Sequence, residues 1–149
     1  MFRGLFSINL DDKGRVAIPK KHRELLEQHT SDQVVLTIDT ESPCLLLYPT
    51  LVWQEIELNL SQLPSFHPAS KRLQRLLIGH ATDLMIDKQG RILVPPLLRD
   101  YAQLEKQIMV VGQGKKIEIW SQNLWQQGCE EWMAYTQSDI PSELQSISW

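Results

Sequence analysis

The sequence predicts an α+β protein made of two tandem, pseudo-symmetric units, each built from short strands and short helices. A nine-residue pattern occurs twice, as DDKGRVAIP at residues 11–19 and DKQGRILVP at residues 87–95. Apolar runs of strand length and helix-type apolar spacing follow each copy in the same order. A chain of 149 residues can also bury a core without disulfides or metal.

The repeat extends beyond the motif. Residues 45–54 (LLLYPTLVWQ) match residues 117–126 (IEIWSQNLWQ). The motif copies lie 76 residues apart and these segments 72 apart, so the second copy has the shorter middle. We therefore predict four parts: a first domain at 5–52, linker helices at 53–80, a second domain at 81–124, and a C-terminal helix and tail at 125–149.

Each copy begins with a strand, a tight turn and a second strand. Residues 5–10 and 81–86 are predicted as the first strands, and residues 16–18 and 92–94 as the second. Between them a glycine stands where a tight turn requires a positive φ angle. The pattern predicts one β-hairpin in each copy. Its structural residues are Asp11, Gly14, Asp87 and Gly90.

A short helix follows each motif, because Pro19 and Pro95 stand where the first turn of a helix tolerates proline. Two further strands are predicted in each copy, at 33–38, 44–48, 107–111 and 116–120. Thr50 and Ser121 are candidate N-caps of the closing helices.

The linker contains a basic amphipathic helix at 69–78, and the C-terminal end of the chain is a polar, acidic tail. We expect three leucines of this helix to pack inward and its three basic residues to face solvent. These are Leu73, Leu76 and Leu77, and Lys71, Arg72 and Arg75. The tail after Thr136, which ends in Trp149, is expected to be loosely ordered unless it docks on a neighbour.

Charge is segregated along the chain although the net charge is only −3. Residues 1–23 carry a net +4 and residues 71–116 a net +5, whereas 24–70 and 117–149 carry −7 and −5 without any Lys or Arg. Such segregation points to an acidic partner for the basic stretches. The candidate DNA-binding residues are Arg3, Lys13, Arg15, Lys20, Lys21, Arg23, Lys88, Arg91 and Arg99.

Catalytic and metal sites are not expected. Cys44 and Cys129 are isolated and are predicted to be buried free thiols, and the four histidines lack metal-ligand spacing. No nucleophile elbow or phosphate-binding loop is present, so we predict no enzymatic activity, cofactor or metal.

No apolar run approaches the roughly 20 residues of a membrane-spanning helix, and we expect a cytoplasmic protein.

The order of strand, D-x-x-x-R turn, strand, Ile/Val-Pro and helix resembles the AbrB/SpoVT/MazE-type DNA-binding domain, a swapped-hairpin β-barrel. Two such units behind an opening MFRG, with Asp11/Arg15 and Asp87/Arg91 as the two D-x-x-x-R pairs, are similar to the MraZ family of bacterial transcriptional regulators. The copies differ, because the first has an extra Asp12 in its turn and the second has Pro96 and Leu97 in place of Lys20 and Lys21.

This resemblance implies a regulator of the division and cell-wall gene cluster that binds short tandem repeats in its own promoter as a ring-shaped homo-oligomer. Its partner would be double-stranded DNA, its location the cytoplasm and nucleoid, with no membrane contact. An arginine at a rigid turn suits this role, since its planar fork grips phosphate or guanine. Two alternatives stay open: the Asp–Arg pairs are only structural ion pairs, or the chain is an antitoxin-like protein-interaction module.

Overall fold

A six-stranded antiparallel sheet and a separate two-stranded ribbon organise the computed structural model, which describes residues 1–29, 32–135 and 140–147. The first copy contains β1 (Phe2–Asn9), β2 (Arg15–Ala17), α1 (Lys20–His29), β3 (Gln33–Ile38), β4 (Leu45–Pro49) and α2 (Thr50–Ser61). The linker contains α3 (Pro68–Leu73) and a π-helical segment (Gln74–Ile78). The second copy contains β5 (Thr82–Met85), β6 (Arg91–Leu93), α4 (Pro96–Tyr101), β7 (Gln107–Gly114), β8 (Lys116–Ser121) and α5 (Gln122–Met133), with α6 (Ser142–Gln145) beyond it. The α+β class and the short helices are as predicted.

The predicted hairpins are wrong, because the strands before and after each turn pair with the other copy. β1 pairs with β7 and β5 pairs with β3, while β2 pairs only with β6. The sheet order is β1-β7-β8-β4-β3-β5. Turn chemistry is local and was readable, but strand pairing is not local, and a repeated sequence offers two similar partners for each strand. The two copies therefore complete each other's sheet.

A pseudo-twofold axis relates the copies and passes through both sheets. In the ribbon Val16 lies opposite Ile92, its equivalent in the second copy. In the middle of the large sheet Leu46 lies opposite Glu118, again its equivalent. Because equivalent residues face each other at both places, the ribbon lies on the axis. One strand of each motif therefore contributes to the same outer surface of the molecule.

The large sheet is covered on both faces, which explains why its central strands are almost continuously apolar. One core cluster packs the sheet against the ribbon, through fully buried Val16 and Ile92, and against α1 and α4. The other, around Trp53 and Trp120, lies on the opposite face beneath α2 and α5. The ribbon is thus held to the sheet by its inward face, and only its outward face is free.

The predicted helix starts agree with the structure to within one residue, since Pro19 and Pro95 stand just before α1 and α4, and one of the two predicted caps forms. Ser121 caps α5, since its hydroxyl accepts a hydrogen bond from the Leu124 amide at 3.1 Å. The cap predicted at Thr50 is wrong: Pro49 takes the cap position, and the Thr50 hydroxyl donates instead to the Gln33 carbonyl at 2.9 Å. A nearby carbonyl on β3 captured this hydroxyl, and sequence alone does not reveal that contact.

The linker helix forms as predicted, with its leucines partly buried and its basic residues exposed, but it widens at Gln74–Ile78, where the Gly79 amide donates to the Gln74 carbonyl. Both cysteines are free, as predicted, but only Cys44 is buried, whereas Cys129 on α5 is half-buried. The tail prediction at 136–139 and at Trp149 lies outside the described residues. No helix in the described part of the chain is long and apolar enough to span a bilayer.

Candidate nucleic-acid interface

The turn of the first copy is organised around Asp11. One oxygen, Oδ1, accepts hydrogen bonds from the backbone amides of Lys13 and Arg15 at 2.9 and 2.8 Å. The other, Oδ2, accepts from Nε of the Arg15 side chain at 2.7 Å. The spacing D-x-x-x-R thus lets one carboxylate close the turn and orient the arginine at once.

The second turn repeats this arrangement with longer contacts. Asp87 accepts from the Gln89 and Arg91 amides at 2.9 Å, and from Nε of Arg91 at 3.1 Å. Arg91 also lies 3.7 Å from Oδ2 of Asp11. Asp11 is therefore within ion-pair distance of both motif arginines, and the structure brings the two D-x-x-x-R motifs together into one cluster.

Both motif arginines lie on the outward face of the ribbon. The middle residue of each strand, Val16 in β2 and Ile92 in β6, points inward. Because side chains alternate along a strand, residues 15 and 17 of β2 and residues 91 and 93 of β6 share the outer face. Arg15 lies opposite Leu93 and Arg91 lies opposite Ala17. The arginines are diagonal neighbours, with an expected Cα separation of about 7–8 Å.

Each turn tip is braced by an arginine of the other copy. Gly14 has φ +83° and packs against the guanidinium of Arg99, while Gly90 has φ +77° and packs against Arg23. The Nε atoms of Arg23 and Arg99 are buried without a hydrogen-bond partner. Both arginines were predicted as DNA-binding residues, and the structure places their partly buried guanidinium groups against the turn glycines of the other copy.

The other predicted cations divide by position. Lys13, Lys20, Lys21 and Lys88 are exposed on the turns and on the first turn of α1. Arg3 is also exposed, but it lies near the start of β1, at the opposite end of that strand from the motif. Arg3 is therefore the predicted residue that the fold does not bring toward the ribbon.

Electrostatics keep both motif carboxylates ionised. The hydrogen bond from the Arg15 amide is the largest cause that lowers the pKa of Asp11, to about 2. The amide of Arg91 likewise lowers the pKa of Asp87. At neutral pH each arginine is thus paired with a permanent negative charge that fixes its direction without neutralising the lysines around it.

Sequence analysis overlooked Ala17 and Leu93, which complete the outer face of the ribbon. The signal was available, because RVA and RIL each place an arginine and the third residue on one side of a strand. Leu93 is 54% exposed and lies beside Arg15 on this outer face.

A second group of polar residues lies away from the ribbon. Ligand atoms of Asp39, Cys44 and Glu118 lie within 4.8 Å of one another. Burial raises the pKa of the Cys44 thiol, and Glu118 accepts a hydrogen bond from the Trp120 indole at 2.9 Å. The Cys44 thiol lies 3.8 Å from Oδ2 of Asp39 and donates to it, so these side chains are hydrogen-bonded within the protein.

The fold and the site define a class of protein: two repeated α+β units that exchange strands and jointly present one arginine-bearing ribbon. The family model of the MraZ protein, described as antitoxin-like, matches residues 1–76 and again residues 77–145. The chain belongs to the MraZ family.

Curated relatives match over nearly their full length. Transcriptional regulator MraZ of Coxiella burnetii is 52% identical over 151 residues, covering 99% of each chain. The proteins of the same name from Halorhodospira halophila and Legionella pneumophila are both 49% identical, again with 99% coverage. A solution structure of PHS018 from Pyrococcus horikoshii is similar over 80% of this chain and 88% of that chain, at 14% identity and with a TM-score of 0.34.

Proposed function

We propose that this protein is a sequence-specific DNA-binding transcription regulator that inserts its β2–β6 ribbon into the major groove. The observation that carries the proposal is the placement of Arg15 and Arg91 on one outward face, each held by a carboxylate. The major groove admits a two-stranded ribbon, and a fork-shaped guanidinium pairs with guanine O6 and N7. A bond through Nε occupies one of the five N–H donors of each arginine and leaves the others for a base or phosphate.

Charge supports the same face. Lys13 and Lys88 flank the turns, and Lys20 and Lys21 add two exposed positive charges on the side of the first copy. Such residues contact phosphates and supply most of the salt-dependent affinity. Arg23 and Arg99 act indirectly in this proposal, by supporting the turns rather than by contacting DNA.

The DNA target and the oligomeric assembly are proposed from the resemblance to the MraZ family. We propose regulation of the bacterial division and cell-wall gene cluster through short tandem repeats in the protein's own promoter, by a ring-shaped homo-oligomer in the cytoplasm at the nucleoid. One ribbon covers only a few base pairs, so repetition would supply specificity against a genome. Exposed Trp132, Met133 and Tyr135 at the end of α5 support subunit contacts there. The swapped-hairpin barrel remains part of this proposal, supported by the exchanged strand pairs.

The test compares matched arginine variants. Duplexes are first selected from a randomised pool with the full chain. Arg15→Ala should weaken binding to the selected duplex by about 1–3 kcal/mol. Arg72→Ala, which removes an exposed arginine of α3, should leave it unchanged. Lys20→Ala should weaken binding to all DNA sequences alike and should reduce the slope of log affinity against log salt concentration by roughly one unit. Unchanged binding by well-folded Arg15→Ala would refute the proposal.

The alternative is an antitoxin-like interaction module, favoured by the family description and by the −5 charge of residues 117–149. The two functions predict opposite behaviour on heparin. A DNA-binding protein is retained in a salt-dependent way and copurifies with nucleic acid, whereas an acidic module elutes early at the sequence pI of about 5.8.

A further inference from the structure

Leu93 is an apolar residue at the centre of a cationic surface. It lies on the outward face of β6, directly opposite Arg15, and its side chain is 54% exposed. Its neighbour Ile92 is fully buried and already anchors the strand to the core. Ile92 therefore holds this strand to the core, and Leu93 is free to contact a molecule bound to the outward face.

The equivalent position in the first copy is occupied by Ala17, which lies opposite Arg91. The two halves of the ribbon thus carry different cross-strand pairs at equivalent positions: Arg15 with Leu93, and Arg91 with Ala17. The difference continues onto the helices, where the second copy has exposed Pro96 and Leu97 at the positions of Lys20 and Lys21. The outward surface is pseudo-symmetric in backbone but asymmetric in chemistry.

We propose that Leu93 reads the 5-methyl group of a thymine beside the base that Arg15 contacts, and so sets the orientation of the ribbon on its site. This inference rests on the proposed DNA-binding function. The thymine methyl is the one apolar group that a base pair exposes in the major groove, and small apolar side chains recognise it by contact. Arg15 and Leu93 are cross-strand neighbours with Cβ atoms about 4.5–5.5 Å apart, so they would meet bases that are adjacent in the stack.

Ala17 is too short to make the same contact at the same depth, because it lacks the three carbons that extend the leucine side chain beyond Cβ. The half with Arg91 would therefore discriminate less strongly between bases at the matching position. A site read in this way has one preferred direction along the DNA, although the ribbon that reads it is built on a twofold axis.

The experiment removes single methyl groups from the DNA. Duplexes are selected from a randomised pool with the full chain, and each thymine of the selected site is then replaced by deoxyuridine, which keeps the base pairing and loses only the methyl. For the unmodified protein, one replacement should weaken binding by about threefold to tenfold. Leu93→Ala should bind the parent duplex as weakly as that, and should no longer distinguish thymine from deoxyuridine.

The control is Leu58→Ala, which truncates a leucine of similar exposure, 58%, on α2. It should retain the discrimination. Equal binding of the unmodified protein to every deoxyuridine duplex, a selected site without thymine, or full discrimination by Leu93→Ala would each overturn the inference. These outcomes leave Arg15-dependent binding intact, whereas a failure to enrich any sequence would instead refute the proposed function and the inference with it.

Discussion

At the residue scale, Asp11 differs from Asp87 although both occupy the same motif position. Asp11 forms a 2.7 Å contact with Arg15 and lies 3.7 Å from Arg91, whereas the side chain of Asp87 is paired with Arg91 at 3.1 Å. One carboxylate therefore orients two arginines and the other orients one. The two motifs thus differ in their contacts even where the sequence repeats.

Asparagine substitutions test this inequality. Asp11→Asn keeps the Oδ1 acceptor that closes the turn but replaces the oxygen that holds both arginines. We expect the ratio of specific to non-specific DNA affinity to fall roughly tenfold, and roughly threefold for Asp87→Asn, because orienting each side chain has an entropic cost. Fluorescence titration with selected and scrambled duplexes measures the ratio. Equal losses in the two variants would contradict the shared role of Asp11.

His22 makes stability depend on pH. It is fully buried in α1, its ring nitrogens have no hydrogen-bond partner, and its ring contacts the edges of Phe2 and Phe6 at centroid distances of 5.6 and 5.1 Å. Burial, and secondarily the charge of Lys21, lowers the pKa of His22 below its usual value. The folded state thus holds fewer protons than the unfolded state at mildly acidic pH.

Stability from the neutral His22 ring should be complete above about pH 6.5 and should fall as the pH drops through that value, where the unfolded chain takes up a proton. Urea denaturation at pH 7.5 and pH 5.5 measures the difference. His22→Leu should flatten this part of the profile, and His29→Gln, at the exposed end of α1, should not. A profile unaffected by His22→Leu would assign the pH dependence to other groups.

At the element scale, the turn and the helix of opposite copies form one structural unit. The Gly14 carbonyl accepts a hydrogen bond from the Val94 amide at 2.9 Å, and the Gly90 carbonyl accepts one from the Ile18 amide at 2.8 Å. With the guanidinium groups of Arg99 and Arg23 packed on these glycines, each turn is held from both sides. Each turn of the ribbon is therefore stabilised by contacts from the other copy.

Gly14→Ala should destabilise the fold by about 1–3 kcal/mol, since an alanine Cβ at φ +83° is strained and would also overlap the Arg99 guanidinium. Measured against Arg99→Ala alone, the double variant Gly14→Ala/Arg99→Ala should lose only the backbone cost of the alanine. Comparing the single variants and the double variant by urea denaturation separates the two effects. Strictly additive losses would show that the overlap with Arg99 costs nothing.

At the scale of the whole molecule, repetition of the ribbon is expected to govern affinity. A homo-oligomer on tandem repeats gains an effective concentration that raises avidity by roughly 10²–10⁴ without new contacts. We expect light scattering to give a mass well above 17.3 kDa. Affinity should collapse on DNA with one repeat, and also when the repeat spacing changes by about half a turn, or roughly 5 base pairs. A monomer that binds one repeat as tightly as three would contradict ring assembly.

The sequence by itself determined the repeat, the turns, the capping serine and the segregation of charge, because each depends on residues close together in the chain. Gly14 and Gly90 have the positive φ that the motif predicted, and Arg15 and Arg91 have their carboxylate partners four residues away. Even the strand at Gln33–Ile38 matches its predicted bounds.

Only the tertiary structure decided which strand pairs with which, and hence where the two motifs meet. The hairpin prediction failed because β1 and β5 each find a longer apolar partner in the other copy. In this exchanged arrangement Val16 and Ile92 are buried on the axis, and Arg15, Arg91 and Leu93 face outward. Arg23 and Arg99 pack against the turns. Local chemistry could place each arginine on a turn, but burial of a shared core was needed to set both on one face.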